Sequence, residues 1–439
     1  MQLSAFTRAF RTPDLRKKLL FVLLMVAIFR LGSVIPTPGV SYEAVTQCAQ
    51  QAQAASSVYG VLNLFSGGAL LRLSIFALGI MPYITASIIV QLLTVVIPRF
   101  EELKKEGPGG TNKLTQYTRY LTVGLAVLQS TGYIAMARFG QLFPGGNQPG
   151  SPCAGDQIIP NQSVFTLVVM VFTMTAGTAV IMWLGELITD RGIGNGMSIM
   201  IFTSIISVFP TQLMAIFKQS QWKFTVVLVM GIVLIAAVVF VEQAQRRIPL
   251  QYAKRMVGRK MYGGSSAYIP LKVNQAGVIP IIFASSLLYL PQLASLIWQD
   301  NQALSGFVTR YLSKGDHPVY MAVYFVLIIF FAFFYVGITF NPVEVADNMK
   351  KAGGFIPGIR PGRPTAEYLD YVLTRITAPG SLYLGAISLI PLFAIGLVQA
   401  SQQFPFGGAS LLIIVGVGLD TVKQIESQLQ QRNYEGFLR

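Results

Sequence analysis

Residues 73–98, LSIFALGIMPYITASIIVQLLTVVIP, run for 26 residues without a charged side chain and are bracketed by Arg72 and Arg99. The hydrocarbon core of a bilayer takes about 20 apolar residues of helix, so this stretch is predicted to cross a membrane as a helix from Leu73 onward. The run before it, 59–71 (YGVLNLFSGGALL), is too short to cross, and Gly67-Gly68 interrupts it. A short apolar segment feeding a long helix suggests a discontinuous or re-entrant element, with a surface-lying helix as the alternative. Irregular backbone is tolerated at membrane depth only inside protein or against a water-filled cavity, which makes this region the candidate wall of a pathway.

The rest of the chain has the same character: 53% of residues are hydrophobic and 12% charged, which places it among multispanning membrane proteins. Charge-poor windows near 20 residues predict ten spans, at 19–34, 73–97, 120–137, 164–187, 197–217, 224–241, 276–298, 319–340, 372–398 and 407–419. With the amino terminus inside, 26 of the 33 Lys and Arg residues fall on the inner side, counting Arg375 at the inner end of the ninth window, and six outside, with Arg30 inside the first span. That asymmetry predicts cytoplasmic termini and explains most of the net charge of +15 without a nucleic-acid partner. Arg30 is read as snorkelling from the outer end of its span. The opening residues are basic and no small-residue cleavage site follows, so the first apolar run is expected to be retained.

Two inner loops are longer than a connection needs. Residues 242–274 carry Arg246, Arg247, Lys254, Arg255, Arg259 and Lys260, with Gly263-Gly264 as the predicted turn of a hairpin between β-prone runs. Residues 341–370 carry Arg360 and Arg363 in a loop stiffened by Pro357, Pro361 and Pro364. Both suit docking of a partner, against the plainer reading that their charge only sets orientation. Cys48 and Cys153 fall in loops placed outside the cytoplasm, where a disulfide is permitted but spacing does not establish one; two unpaired thiols is the preferred reading. Neither cysteine has ligand spacing to the other or to His317, so no metal site is predicted.

Pro82, Pro280 and Pro391 are expected to kink their helices. Ile80 and Ile84 stand at i and i+4, as do Met197 and Ile201; spacing alone reads them as packed or lipid-facing. GPGGTNK at 107–113 has the wrong spacing for a phosphate loop, and GIGNG at 192–196 reads as a turn into the fifth span. No paired carboxylates lie mid-span and no nucleophile elbow or zinc helix appears, so neither enzyme activity nor a cofactor is predicted. The spans also lack the midplane charges that ion-coupled transporters use.

The motifs FRLGSVIPTPGV (29–40), NLFSGGALLRLSIFALGIMPYI (63–84), QYTRY, WLGELITDRGIGNG, QRRIPLQYAKR, LKVNQAGVIPIIFASS, FNPVEVADNMKKAGGFIPGIRPG and YEGFL follow one another over nearly the whole length. In this the chain resembles the SecY family of bacterial protein-conducting channel subunits. The resemblance implies an all-α polytopic protein of ten transmembrane helices in two pseudo-symmetric five-helix halves, 1–217 and 218–439. It implies a plug helix formed by Tyr59, Gly60, Val61, Leu62, Asn63, Leu64, Phe65, Ser66, Gly67, Gly68, Ala69 and Leu70. A constriction ring carries over to Ile80, Ile84, Met197, Ile201, Ile282 and Ile413, with Met where Ile is usual at one position. A lateral gate between the second and seventh spans carries over, with Ser87, Gln91, Asn274 and Gln275 as candidate polar contacts.

The resemblance further implies docking of the motor ATPase SecA or the ribosome on the basic loops, at Arg246, Arg247, Arg255, Arg259 and Arg360. It implies association with SecE and SecG, contact with membrane lipids, and passage of signal sequences and unfolded secretory polypeptides through the bacterial plasma membrane. Two other readings compete: a secondary transporter for a small solute, and a membrane scaffold without a pore.

Overall fold

The computed structural model describes residues 12–54, 66–140, 142–143, 153–252, 255–257, 260–262, 266–297, 317–398 and 408–435, with single positions at 306, 308 and 311. The expectations for Tyr59, Gly60, Val61, Leu62, Asn63, Leu64, Phe65 and Arg259, and for the Gly263-Gly264 turn, lie outside these residues. In chain order the elements are α1 (Pro13–Gly32), α2 (Tyr42–Ala54), α3 (Met81–Val96), α4 (Pro98–Lys105), α5 (Pro108–Arg138), α6 (Gly155–Ile158), α7 (Val164–Arg191), α8 (Gly196–Gln219) and α9 (Gln221–Gln243). They continue with β1 (Gln245–Tyr252), β2 (Arg255–Val257), β3 (Lys260–Tyr262), β4 (Ser266–Lys272), α10 (Ile279–Ile297), α11 (Pro318–Thr339), α12 (Pro342–Lys351), β5 (Gly354–Phe355), α13 (Arg363–Val398) and α14 (Gly408–Glu435). A helix stands at each of the ten apolar windows. Among the described residues, on length and composition alone, α5, α7, α8, α9 and α11 running into α12 are able to cross a membrane, and α3 joined to α4 makes a sixth candidate across a 101° bend.

The second span departs from expectation at its start. Its helix begins at Met81 rather than Leu73, and residues 66–80 form a succession of turns. Gly67, Gly68, Leu73 and Gly79 all have positive φ, at 68°, 86°, 44° and 57°, which a right-handed helix cannot contain. Pro82 therefore sits in the first turn of α3, where its missing N–H is not needed, and not at a kink. Pro280 is likewise the second residue of α10 rather than an interior break.

Contacts divide the chain into two compact units, one comprising Met1–Thr225 and Ile413–Arg439 and the other built around Val226–Val398. In the first unit α7 is the hub, packing against α1, α3, α5 and α8. Small residues make this possible. A Cβ at Gly177 would collide with the Ile75 carbonyl, one at Gly185 with the Met197 side chain, and one at Gly196 with the Gly185 carbonyl. Ile425 of α14 joins this unit through a cluster with Leu15 and Ile193.

In the second unit α11 packs against α10 and α13, and the sheet has the order β4-β1-β5. Ile248 and Leu250, two apart on β1, point to one face and are buried with Leu271, Ile356, Leu369 and Val372. The expected hairpin is present as β1 paired with β4, but its nested pair β2 and β3 closes between Val257 and Lys260, ahead of the glycine pair. The stretch 341–370, expected as a loop, contributes α12, then β5 paired with β1 at Gln251↔Phe355 and Tyr252↔Gly354, then the first turns of α13.

Cys48 and Cys153 are joined by a disulfide, with their Cα atoms 5.5 Å apart, contrary to the expectation of two free thiols. The packing of α2 on α6 brings them together, reinforced by the Ser41 amide donating to the Ile158 carbonyl at 2.9 Å. Replacing both cysteines by serine is expected to lower stability by about 2–4 kcal/mol, read as a lower unfolding midpoint in detergent. Gly177→Ala is expected to cost about 1–3 kcal/mol by overpacking in the same assay, whereas Gly124→Ala, with open space around it, is expected to be tolerated.

Candidate functional site

The turns at 66–80 are buried, with Ala69, Leu70, Leu73, Ser74 and Ile80 all almost inaccessible to solvent. Buried peptide groups outside a helix need partners, and residues 35–37 supply them. The Thr37 amide and hydroxyl both donate to the Leu73 carbonyl, at 3.0 and 2.7 Å, and the Ile75 amide donates to the Ile35 carbonyl at 3.0 Å. Phe76 stacks on Phe29 at a centroid distance of 6.0 Å, over the space left by Gly32. At the upstream end, the Ser66 hydroxyl accepts the Leu70 amide.

Arg30 does not snorkel. Half-buried in the last turn of α1, it donates from Nη1 to the Gly67 carbonyl at 3.0 Å and to Ser207 Oγ of α8 at 2.8 Å. An arginine at membrane depth costs about 2.5–3.5 kcal/mol on insertion scales, and a hydrogen bond to a charged group returns about 1.5–3 kcal/mol. Two such bonds offset the cost, so burial wins over reaching for water.

The six ring candidates share a position: each lies at or just inside the start of a helix. Ile80 immediately precedes α3 and is 2% exposed; Ile84 follows one turn later, its amide donating to the Ile80 carbonyl, so the pair shares a face. Met197 and Ile201 lie in the first two turns of α8, Ile282 in the first turn of α10, and Ile413 is the sixth residue of α14. The GIGNG run is the expected turn. Asn195 caps α8, its Oδ1 accepting the Met197 and Ser198 amides, and Thr189 Oγ1 accepts the Gly196 amide at 2.9 Å.

Among the gate candidates, Ser87 is half-buried and Gln91 exposed, one turn apart on α3. Asn274 is 4% exposed and is tied within its own unit: Nδ2 donates to Glu242 Oε1 at 2.6 Å and to the Gly277 carbonyl at 3.3 Å. Asn274 Oδ1 and Gln275 Oε1 are buried acceptors without a partner among the described residues. Of the docking candidates, Arg246 and Arg247 project from β1, Arg247 lying 5.1 Å from the Tyr268 ring centroid. Arg255 is in β2, and exposed Arg360 sits in a turn formed by Gly358 and Gly362, both at positive φ.

Sequence reasoning assigned no role to Glu242, nor to the ion pair of Arg119 and Glu186, whose two bonds of 2.9 and 2.7 Å join α5 to α7. Both ion-pair residues belong to quoted motifs, QYTRY and WLGELITDR, and only the fold shows that those motifs meet.

The SecY family profile matches residues 74–422. The chain belongs to the SecY family. The protein translocase subunit SecY of Streptomyces galbus is 66% identical over 442 residues, and that of Mycobacterium tuberculosis strain H37Rv is 58% identical over 448, each covering 100% of both chains. Among solved structures, a protein-conducting channel matches with a TM-score of 0.63 at 18% identity, covering 93% of this chain and 91% of that one. Sec61 in the canine ribosome-channel complex matches with a TM-score of 0.60 at 17% identity, covering 93% and 91%. The fold is thus that of an all-α polytopic membrane protein, and the SecY family is not an enzyme family.

Asn195→Ala is expected to cost about 1 kcal/mol through loss of the α8 cap. Asn195→Asp, which keeps the acceptor, is expected to retain most of that stability, as read by thermal unfolding of the purified protein.

Proposed function

We propose that the chain is the pore-forming subunit of a protein translocase, passing unfolded secretory polypeptides across the bacterial plasma membrane. The observation that carries this reading is the buried, non-helical run 66–80 leading into a helix that opens with Ile80 and Ile84. Aliphatic side chains at the starts of α8, α10 and α14 complete the proposed ring between two pseudo-symmetric halves. Such a ring closes around chemically varied peptide segments without a fixed polar partner, and a narrow apolar collar discourages ions. Met197 makes it softer. The segment 59–70 seals the outer side when no polypeptide is present.

Hydrophobic segments leave sideways between α3 and α10, driven by apolar burial of about 25 cal/mol per Å². The unpartnered acceptors on Asn274 and Gln275 support a gate there, since they are able to receive donors from an arriving chain. The sheet carrying Arg246 and Arg247 and the turn carrying Arg360 lie in one unit and support a cytosolic docking face. Their positive charge suits acidic surfaces of the motor SecA or ribosomal RNA. SecE clamps the halves and SecG joins them, with both termini cytoplasmic.

Photocrosslinkers at Ile84 and at Ile282 are expected to form strong adducts with a radiolabelled secretory precursor stalled in vesicles that contain SecE and the motor. Adducts confined to loop positions would mean that the polypeptide only docks. Arg360→Glu is expected to impair motor-driven export while sparing insertion of membrane proteins; equal loss of both would indicate misfolding and remove support for the docking role.

A further inference from the structure

We propose that Arg30 is a latch on the sealing segment, its guanidinium holding the Gly67 carbonyl against α8 while the channel is idle and releasing it when the segment moves. This rests on the reading of 59–70 as the seal, but the residues that make the contact are all described in the structure.

Three features single out this contact. Gly67 has φ of +68°, and a Cβ there would come within 3.2 Å of Arg30 Nη1 and of the Ser204 Cα, so only glycine lets the carbonyl reach the guanidinium without strain. Ser207 is itself held, its hydroxyl donating to the Ser204 carbonyl at 2.7 Å, which leaves its lone pairs facing Arg30. Ser33 Oγ donates to the Arg30 carbonyl at 2.8 Å, fixing the end of the helix from which the arginine reaches.

The two ends of the segment are also fastened differently. From Leu73 onward it is bonded backbone to backbone with residues 35–37, and those bonds move only if the α1–α2 connection moves. At Gly67 the fastening is a side chain, which a change of rotamer undoes. Residues 66–72 therefore have a fixed root at Leu73 and a releasable hold at Gly67. The partners of Arg30 in this contact are a carbonyl and a hydroxyl, both neutral. Water or the carbonyls of a passing polypeptide can replace Gly67 as acceptor, so release leaves no charge pair broken.

The test is the conductance of planar bilayers containing the full chain in complex with its membrane partners and no precursor. Arg30→Met keeps the length and removes the donors; it is expected to raise idle conductance about tenfold or more, the change for losing one charge-assisted hydrogen bond. Translocation of precursor is expected to continue. Arg30→Lys, which keeps a donor, is expected to fall between Arg30→Met and the unaltered protein, and Ser207→Ala to give a smaller rise.

A deletion of 59–70 separates the two readings. If the deletion leaks and Arg30→Met does not, the latch is overturned and the seal stands. If the deletion itself conducts no more than the unaltered channel, the seal reading fails and the latch with it. Leakage of Arg30→Met together with loss of translocation would mark a collapsed structure and also overturn the latch. Should Arg30→Met fail to assemble, Arg30→Lys and Ser207→Ala decide: a rise in either supports the latch, and unaltered conductance in both overturns it.

Discussion

A peptide group outside a helix must find a hydrogen-bond partner before it can sit at membrane depth, and the first unit is arranged around meeting that demand at residues 66–80. The connection after α1 runs beside this segment as a short strand-like partner, with Thr37 contributing its hydroxyl as well as its amide to the Leu73 carbonyl. Arg30 meets the demand at Gly67 from the other side. Once these groups are satisfied, α3 is free to start at Met81 with Ile80 and Ile84 on one face, which is where the proposed constriction begins.

The helix that holds this arrangement is α7, not the second span on which the sequence first drew attention. Its glycines let other backbones come close: the Ile75 carbonyl at Gly177, and the start of α8 at Gly185. The same helix takes the charged grip of Arg119 through Glu186. In an environment where lipid tails offer no hydrophobic driving force between helices, close approach and polar grips of this kind supply the association.

The apolar windows marked a helix at every one of the ten positions because hydropathy over twenty residues is set by composition alone. The GIGNG turn and the basic hairpin were legible for similar local reasons, glycine spacing in one and β-prone runs in the other. The start of the second span was not, since an unbroken apolar run does not reveal that Leu73 adopts positive φ. The two-residue strand β5 has no pattern to read, and its partner β1 lies about a hundred residues earlier in the chain. The bonds of Arg30 to Gly67 and Ser207, and of Asn274 to Glu242, depend on which elements meet, and no spacing within either motif encodes that.

The disulfide adds a property that none of the individual contacts has. Cys48 follows the first span and Cys153 the third, so their bond closes a covalent ring of chain that contains the 66–80 turns, α3 and α5. In the folded protein α2 and α6 stay tied together, so the chain between them is a closed loop and any rearrangement during opening is confined to what that loop permits.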